Sequence, residues 1–265
     1  MTRLARAVPV LVVFVVVLVC WHVVSTVVLS PARRFLLPAP HEVLLVGFLD
    51  PDNLSDLLAA LGRSALVAVL GLVIAAALGV GLAVLMSQAR WVEQAVYPYA
   101  VVLQTVPILA LVPLFGFWFG FGFPSRVLVC VLIALFPVVA NTLLGLKSAS
   151  AGLHDLLTLH RAGRVRRLLV LQFPAALPAL FTGLRISAGL SVIGAVVGDF
   201  FFKQGEPGIG VLIDLYRQRL QSEQLFAAVL LSSAFGVVVF WLFGALARRA
   251  VGSWHESGAA RDRVR

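Results

Sequence analysis

The feature that most constrains this chain is a series of apolar runs, each long enough to cross a membrane. The first, Val8–Leu29, contains no Asp, Glu, Lys or Arg. A hydrocarbon layer of about 30 Å is crossed by about 20 helical residues, and lipid requires that backbone groups bond within their own segment. With 61% hydrophobic and 12% charged residues, the sequence is too apolar for a soluble globular domain.

Six such runs predict an all-α polytopic membrane protein with six transmembrane helices. The first run is longer than the apolar region of a signal peptide and no clear cleavage site follows it, so we expect an uncleaved span. The third contains Pro98, Pro107 and Pro113, each of which removes a backbone donor, so an irregular helix is expected there. The predicted spans are Val8–Leu29, Ser64–Met86, Gln94–Phe119, Val127–Leu146, Leu177–Gly198 and Leu225–Leu246.

These spans divide the chain into three parts. Residues 1–56 contain the first transmembrane helix and an outer linker. Residues 57–250 form a five-helix core that includes a polar loop at 147–176, and residues 251–265 are a basic tail.

The second predicted span carries small residues at a regular spacing. Gly71, Ala75 and Gly79 are four residues apart. This spacing either allows a neighbouring helix to approach closely or marks a membrane helix that merely tolerates glycine.

The net charge of +9 is explained by orientation in a membrane. Most of the 21 basic residues fall on the side that holds both termini and the polar loop, and basic residues accumulate on the cytoplasmic side. We therefore expect both termini and the loop in the cytoplasm, in a bacterial inner membrane. The basic residues lie between apolar spans rather than on one soluble face, so nucleic acid is not an expected partner.

The sequence lacks the usual patterns of catalytic and metal sites. Lys147 and Lys203 follow Leu and Phe, not the Gly of a phosphate-binding loop, and no HExxH pair occurs. Cys20 and Cys130 lie within apolar runs, which predicts buried side chains, not a disulfide or metal site. We expect no catalytic residue and no bound metal. Because the spans contain almost no deep carboxylate or histidine, energy for uphill transport is expected from another subunit.

Several stretches resemble one family in the same order along the chain. LLPAPHEV at 36–43 is similar to LPSP-x-x-V, and VPILALVPLFGFWFGFGFPSRV at 106–127 to P-x-x-A-x-x-PL…WFG-x-G-x-x-S-[KR]. FPVVANTLLGL at 136–146 is similar to FP-x-x-x-NT-x-x-GL, and the stretch at 173–201 to an LPAALP…GLR…V-x-x-E region, with Asp199 at the acidic position. The chain resembles the membrane-spanning permease subunit of a type I ATP-binding-cassette importer, particularly the nitrate/sulfonate/taurine-like branch.

The resemblance implies that the polar loop couples this chain to an ATPase. The family pattern EAA-x-x-x-G, anchored on the LP that follows it, places its acid at Asp155, its alanines at Leu156 and Leu157, and its glycine at Arg161. Only the acid is retained, although Gly163 lies two residues further on. In the family this loop forms a short coupling helix that sits in a groove of the ATPase subunit.

Helical spacing places the leucines of the loop on one face and its arginines on another, on a helix expected over residues 155–167. The leucine stripe either enters a partner's groove or lies on the membrane surface. The arginines either contact the partner or hold the loop near anionic headgroups. The predicted coupling residues are Leu153, Asp155, Leu156, Leu157, His160, Arg161, Gly163 and Arg164.

Polar residues within the spans are candidates for lining a pathway. Arg185 either extends to the cytoplasmic interface or pairs with an anionic solute. Asn141 either bonds neighbouring helices together or contacts solute. The predicted lining residues are Gln104, Thr105, Asn141, Arg185, Ser187 and Ser191.

The resemblance implies a permease that moves a small, often anionic solute, such as a sulfonate, nitrate or a thiamine-precursor pyrimidine. The implied partners are two cytoplasmic ATPase subunits that bind ATP and Mg, a second permease (identical or homologous), an external or lipid-anchored binding protein, and the lipid bilayer. This chain is expected to bind no cofactor and to have no enzymatic activity. The alternatives are an ion-coupled secondary transporter that works without an ATPase, and a membrane scaffold that does not transport.

Overall fold

The computed structural model describes residues 3–251, and this part of the chain is a bundle of helices. Five helices are long and apolar enough to cross a membrane, and a bent pair supplies a sixth crossing. The predicted all-α polytopic fold is therefore confirmed. Of the predicted basic tail, residues 252–265 lie outside the described residues.

The helices follow one another with short connections. A 3₁₀ helix at Pro31–Leu36 separates the first two, and a π-helical segment at Leu168–Gln172 interrupts the eighth. In chain order they are α1 (Arg3–Val23, extended by a π-helical turn at Val24–Val28), α2 (Pro40–Glu42, extended by a π-helical turn at Val43–Phe48), α3 (Pro51–Gln88), α4 (Arg90–Thr105), α5 (Ile108–Phe119), α6 (Phe123–Leu146), α7 (Ala151–Leu159), α8 (Arg164–Phe201), α9 (Ile209–Gln218) and α10 (Ser222–Val251).

The bent pair α4–α5 runs from one end of the bundle to the other. At the end that holds α7, called the loop end, Lys147 pairs with Glu93 of α4. At the opposite end, called the far end, the backbone N–H of Gln204 donates a 3.1 Å hydrogen bond to the carbonyl of Phe121, which follows α5. The pair is therefore one broken span.

The ends of α1 and α10 are oriented by a contact at the far end. Trp21, near the end of α1, packs against Phe226, near the start of α10, with ring centroids 5.8 Å apart. The Trp21 indole donates a 3.0 Å hydrogen bond to the carbonyl of Pro38. The start of α1 and the end of α10 consequently point towards the loop end, as six crossings require.

One proline breaks the third span, and the other two do not. Val106 has extended backbone angles (φ −66°, ψ 129°), as a residue before proline prefers. Pro107 follows outside any helix, and the axes of α4 and α5 differ by 99°. Pro98 and Pro113 stay within α4 and α5. The predicted irregularity is thus confirmed and confined to Val106–Pro107.

The small residues of α3 allow close contact with α6. Ala75 is fully buried. A Cβ atom added to Gly71 would overlap the Cβ of Cys130, and one added to Gly79 would lie 2.8 Å from the Cβ of Val138. Of the two interpretations of this spacing, close helix approach is confirmed.

Within the described residues, the most extensive helix–helix contact is between α6 and α8. A Cβ atom on Gly145 would lie 2.8 Å from the Cα of Ala176, and one on Gly183 would lie 2.7 Å from the carbonyl oxygen of Pro137. The two backbones therefore touch along much of their length, and α6 and α8 form the closely packed centre of the core.

Two predicted boundaries are corrected. The helix that contains the second span begins at Pro51, where the Asp50 side chain accepts a 3.1 Å hydrogen bond from the Asp52 N–H as an N-cap. The division between residues 56 and 57 thus falls inside α3, and Leu57 shares a core with Val43 of the linker. Similarly, α8 starts at Arg164, so the second half of the loop at 147–176 is already helix.

Candidate functional site

The loop end presents a short helix with an exposed apolar face. Leu153, Leu156 and Leu159 of α7 are exposed, Leu159 to 82%. Asp155 is exposed as well, whereas Leu157 is partly buried. Exposed leucines on a polar loop are the arrangement expected of a helix that docks into a partner's groove.

The structure corrects the single helix expected over residues 155–167. The α7 helix ends at Leu159, and His160 is its C-cap. Arg161 then adopts a left-handed backbone with φ 51°, and Gly163 is the N-cap of α8. A left-handed residue stops a helix, so the arginines at 161, 164 and 167 do not form one helical stripe.

The break between α7 and α8 is nevertheless braced. The backbone N–H of Arg161 donates a 2.9 Å hydrogen bond to the carbonyl of Thr158. The Arg167 side chain reaches back from α8 and donates a 2.8 Å hydrogen bond to the Thr158 hydroxyl. Because α8 continues through the membrane, α7 is attached directly to a spanning helix.

The predicted lining residues of the broken span are exposed at its bend. Gln104 and Thr105 are the last polar residues before the break, and both are exposed. The Thr105 hydroxyl donates a 2.9 Å hydrogen bond to the Val102 carbonyl of its own helix. Irregular backbone at membrane depth is tolerated where it is covered by protein or lines water, so a lining role for both residues remains a prediction.

Three other predicted lining residues bond to backbone carbonyls. The buried hydroxyl of Ser187 donates a 2.6 Å hydrogen bond to the Ala134 carbonyl, and that of Ser191 donates to the Ala68 carbonyl. Both therefore hold helices together, and neither has exposed surface that solute could contact in this chain. Asn141 is partly buried and donates a 2.8 Å hydrogen bond to Pro137 of its own helix.

Arg185 lies about two and a half turns along α8 from Ala176, which packs on Gly145 near the loop end. A Cβ atom added to Gly244 of α10 would lie 3.4 Å from its guanidinium carbon, so the guanidinium lies about one turn before Arg248 in the last turn of α10. The guanidinium carbon of Arg185 stands 3.7 Å from the ring centroid of Phe240 in α10. This cation–π contact holds the side chain between α8 and α10.

A buried ion pair at the far end was not predicted as a site. The Arg126 guanidinium, 3% exposed, lies 3.3 Å from Asp199, which is fully buried. Ser64 donates a 2.5 Å hydrogen bond to the same carboxylate and accepts a 2.8 Å bond from the Ile209 N–H. Arg126 also donates to three carbonyls of the following turn, those of Phe202, Gln204 and Glu206.

This network fixes the far-end loop between α8 and α9. A buried charge needs a partner and hydrogen bonds. Arg126 and Asp199 neutralise each other, and the hydrogen bonds come from the three carbonyls for Arg126 and from Ser64 and the Gly210 N–H for Asp199. The sequence contained the signal: Arg126 closes the S-[KR] motif and Asp199 occupies the acidic position of the next motif. Neither motif alone indicates that these two residues pair.

A second, more open charge cluster lies on α9. The Asp214 carboxylate accepts hydrogen bonds from Lys203, Arg217 and Gln218. The Lys203 hydrogen bond, followed by that of Arg217, lowers the pKa of Asp214 to about 2. Asp214 is therefore ionised at neutral pH and binds the far-end loop to α9.

Comparison with known proteins places the chain in a family. Residues 69–252, more than half of the chain, match the family described as the binding-protein-dependent transport system inner membrane component. The chain belongs to this family. It is the permease subunit of an ATP-binding-cassette importer, a multi-pass inner membrane protein of the nitrate/sulfonate branch. Components of this kind work with a solute-binding protein and ATPase subunits.

Three relatives illustrate the similarity of this permease. The formylaminopyrimidine transport permease protein ThiX of Halalkalibacterium halodurans is 33% identical over 229 residues, 86% of this chain and 88% of that protein. The riboflavin transport system permease protein RibX of Chloroflexus aurantiacus is 34% identical over 247 residues, which are 91% of this chain and 87% of that protein. The putative aliphatic sulfonates transport permease protein SsuC of Bacillus subtilis is 30% identical over 221 residues, 83% and 78%.

Proposed function

We propose that two copies of this permease, or this permease and a homologue, form a solute pathway that two ATPase subunits open and close through α7. The observation that carries the proposal is the exposed leucine face of α7 together with its bracing to α8. A partner that grips α7 moves α8, and α8 packs along α6 through the membrane. ATP acts through different affinities for the two states of the pathway.

The loop end is proposed to face the cytoplasm. Arg164 and Arg166 lie there beside α7, and Arg248 and Arg249 lie in the last turn of α10. Basic residues favour the cytoplasmic side. Both ends of the chain are therefore cytoplasmic in this proposal, and the far-end loop that Arg126 fixes faces outwards, where a binding protein delivers solute.

The proposed solute is small, either anionic like a sulfonate or nitrate, or similar to a thiamine precursor. The names of the relatives, which specify formylaminopyrimidine, riboflavin, aliphatic sulfonates, nitrate and bicarbonate, support this range. The chain itself is proposed to catalyse no reaction and to bind no cofactor, since ATP and Mg are assigned to the partner subunits. The relatives are named as transport permeases, which supports an importer permease rather than an ion-coupled carrier.

Co-purification tests the proposal. We expect the permease to retain its ATPase subunits after solubilisation, and the double variant Leu153→Asp/Leu156→Asp to lose at least tenfold of the bound ATPase. Both side chains are exposed, so the fold should be unaffected. Val165→Asp is the matched control, because Val165 is also exposed at the loop end but lies on α8 rather than α7.

The proposal for α7 is wrong if the double variant keeps a full complement of ATPase while the protein remains folded. It is also wrong if Val165→Asp releases the ATPase to the same extent, because a general charge effect at the loop end would then explain the loss. Recovery of solute uptake by the permease alone, without any ATPase, would support the ion-coupled alternative.

A further inference from the structure

A groove of about 810 Å³ runs between α8 and α10 and contains a single charged residue. Its walls are mostly apolar, and its polar groups are Arg185, Ser232 and Ser233. The two serine hydroxyls already donate hydrogen bonds to the Val229 carbonyl of their own helix. Arg185 is therefore the one group on these walls that offers an unsatisfied positive charge.

Arg185 differs from the other arginine buried in the bundle. Arg126 has a carboxylate and three carbonyls around its guanidinium. No described side chain forms an ion pair or accepts a hydrogen bond from Arg185, and its buried Nε has no partner. The Phe240 ring, 3.7 Å away, covers one face of the guanidinium, and its Nε and Nη2 atoms lie beside Gly244 of α10.

Contacts with two neighbouring helices locate Arg185 along the bundle. At about 1.5 Å per residue, it lies about 14 Å along α8 from Ala176, which packs on Gly145 near the loop end. Asp199 at the far end is about 21 Å away in the other direction. On α10 the guanidinium lies beside Gly244, about one turn before Arg248. A charged residue within a membrane span is a candidate for a functional site.

The shape of the groove depends on glycines on the two facing helices. A Cβ atom on Gly189 of α8 would meet no atom within 4 Å, and one on Gly236 of α10 would meet only Val192, at 3.8 Å. These glycines are not required for close helix packing, unlike those between α3 and α6. Their effect is to leave room beside Arg185, and the Phe240 and Trp241 rings line the same space.

We infer that this groove is a binding subsite for an organic anion with an apolar or aromatic body, which this permease moves. The inference extends the proposed function by naming the residue that takes the anionic group. The edge of the Arg185 guanidinium donates paired hydrogen bonds to a sulfonate or carboxylate, as arginine does best. The body of the solute then lies against Phe240 and Trp241.

A transported solute fits the groove better than a phospholipid. The Arg185 charge and the Phe240 and Trp241 rings line the same groove, so one compact molecule with an anionic group and an aromatic body contacts all three. A short organic anion has no long chain to align with the bilayer and can lie wholly within the groove. A volume of about 810 Å³ is within the range of pockets for small molecules.

Two probes of similar shape, one anionic and one neutral, test whether the charge of Arg185 contributes to binding. The full-length permease in nanodiscs is titrated with naphthalene-2-sulfonate and with the neutral naphthalene-2-methanol. We expect the sulfonate to bind the native protein at least tenfold more tightly than the alcohol. Arg185→Gln should weaken binding of the sulfonate at least tenfold and leave binding of the alcohol unchanged. Arg185→Lys keeps the positive charge and should keep part of the preference for the sulfonate over the alcohol.

A second variant reduces the free volume of the groove and leaves the charge of Arg185 unchanged. Gly236→Leu fills the groove and should weaken the binding of both probes. Gly81→Leu is the control, because Gly81 lies on α3, outside the groove, and a Cβ atom there meets no atom within 4 Å. Thermal unfolding confirms that each variant is folded. If Arg185→Gln proves unstable, Gly236→Leu still decides whether the groove binds the probe.

Three outcomes overturn the inference. The first is equal binding of the sulfonate by the native protein and Arg185→Gln, and the second is unchanged binding of both probes by Gly236→Leu. The third is that native mass spectrometry finds a phosphatidylglycerol molecule bound to the native protein but not to Arg185→Gln, and that the sulfonate does not displace this lipid. Because no ATPase is present, these results are independent of the co-purification test of the proposed function.

Discussion

The backbone conformation of Arg161 explains why the family motif has glycine at this position. The importer motif places glycine at this position, and the structure gives Arg161 a left-handed backbone with φ 51°. An L-residue pays roughly 1 kcal/mol for that conformation, and glycine does not. We predict that Arg161→Gly raises the free energy of unfolding by up to about 1 kcal/mol, measured by thermal unfolding of the purified permease.

The matched control for this substitution is Arg166→Gly. Arg166 is also an exposed arginine of the loop end, but it lies in the helical first turn of α8. Glycine in a helix costs about 0.5 to 1 kcal/mol, so this variant should be less stable than the native protein. Destabilisation by Arg161→Gly would mean that the arginine side chain makes a contact worth more than the strain.

Other single residues show where sequence reasoning stops. Arg126 and Asp199 were each visible in a motif, yet only the fold brings their side chains 3.3 Å apart. Arg185 was recognised as a charge within a span, but the sequence did not indicate its contact with the Phe240 ring of α10. Both contacts depend on helix register across the bundle, and residue type alone does not specify that register.

At the scale of helices, the close contact between α3 and α6 depends on Gly71. A Cβ atom there would overlap that of Cys130. We predict that Gly71→Ala lowers the unfolding temperature and costs about 1 to 3 kcal/mol, because overpacking a tight contact shifts the backbone. Gly81→Ala, on the same helix, should be neutral or stabilising by up to about 1 kcal/mol, since a Cβ atom meets nothing there.

Equal effects of the two alanine substitutions would contradict the packing interpretation of α3. The comparison also shows what the sequence alone predicts at this scale. The spans and the broken helix were predicted because apolar length and proline content are local properties. The helix ends were less well predicted, since α3 and α8 continue past the membrane into segments held by tertiary contacts, such as the core that joins Leu57 to Val43.

At the scale of the whole molecule, the two ends of the bundle have different characters. The far end is fixed by the network around Arg126 and by the Asp214 cluster. The loop end carries α7, which is exposed and bonded mainly to the start of α8. A far end fixed by ion pairs and hydrogen bonds and an accessible helix at the loop end are compatible with the proposed function, in which one end contacts the ATPase and the other receives solute.

Orientation in the membrane gives the last prediction, and exposed positions at the two ends make it testable. Gly152 on α7 and Arg219 after α9 are both exposed. We predict that a membrane-impermeant maleimide added to intact cells labels Arg219→Cys but not Gly152→Cys, and that both react after the cells are opened. The background replaces Cys20 and Cys130 by Ala, because these are the two native cysteines. If intact cells label Gly152→Cys instead, α7 faces outwards and ATPase subunits in the cytoplasm have no route to it.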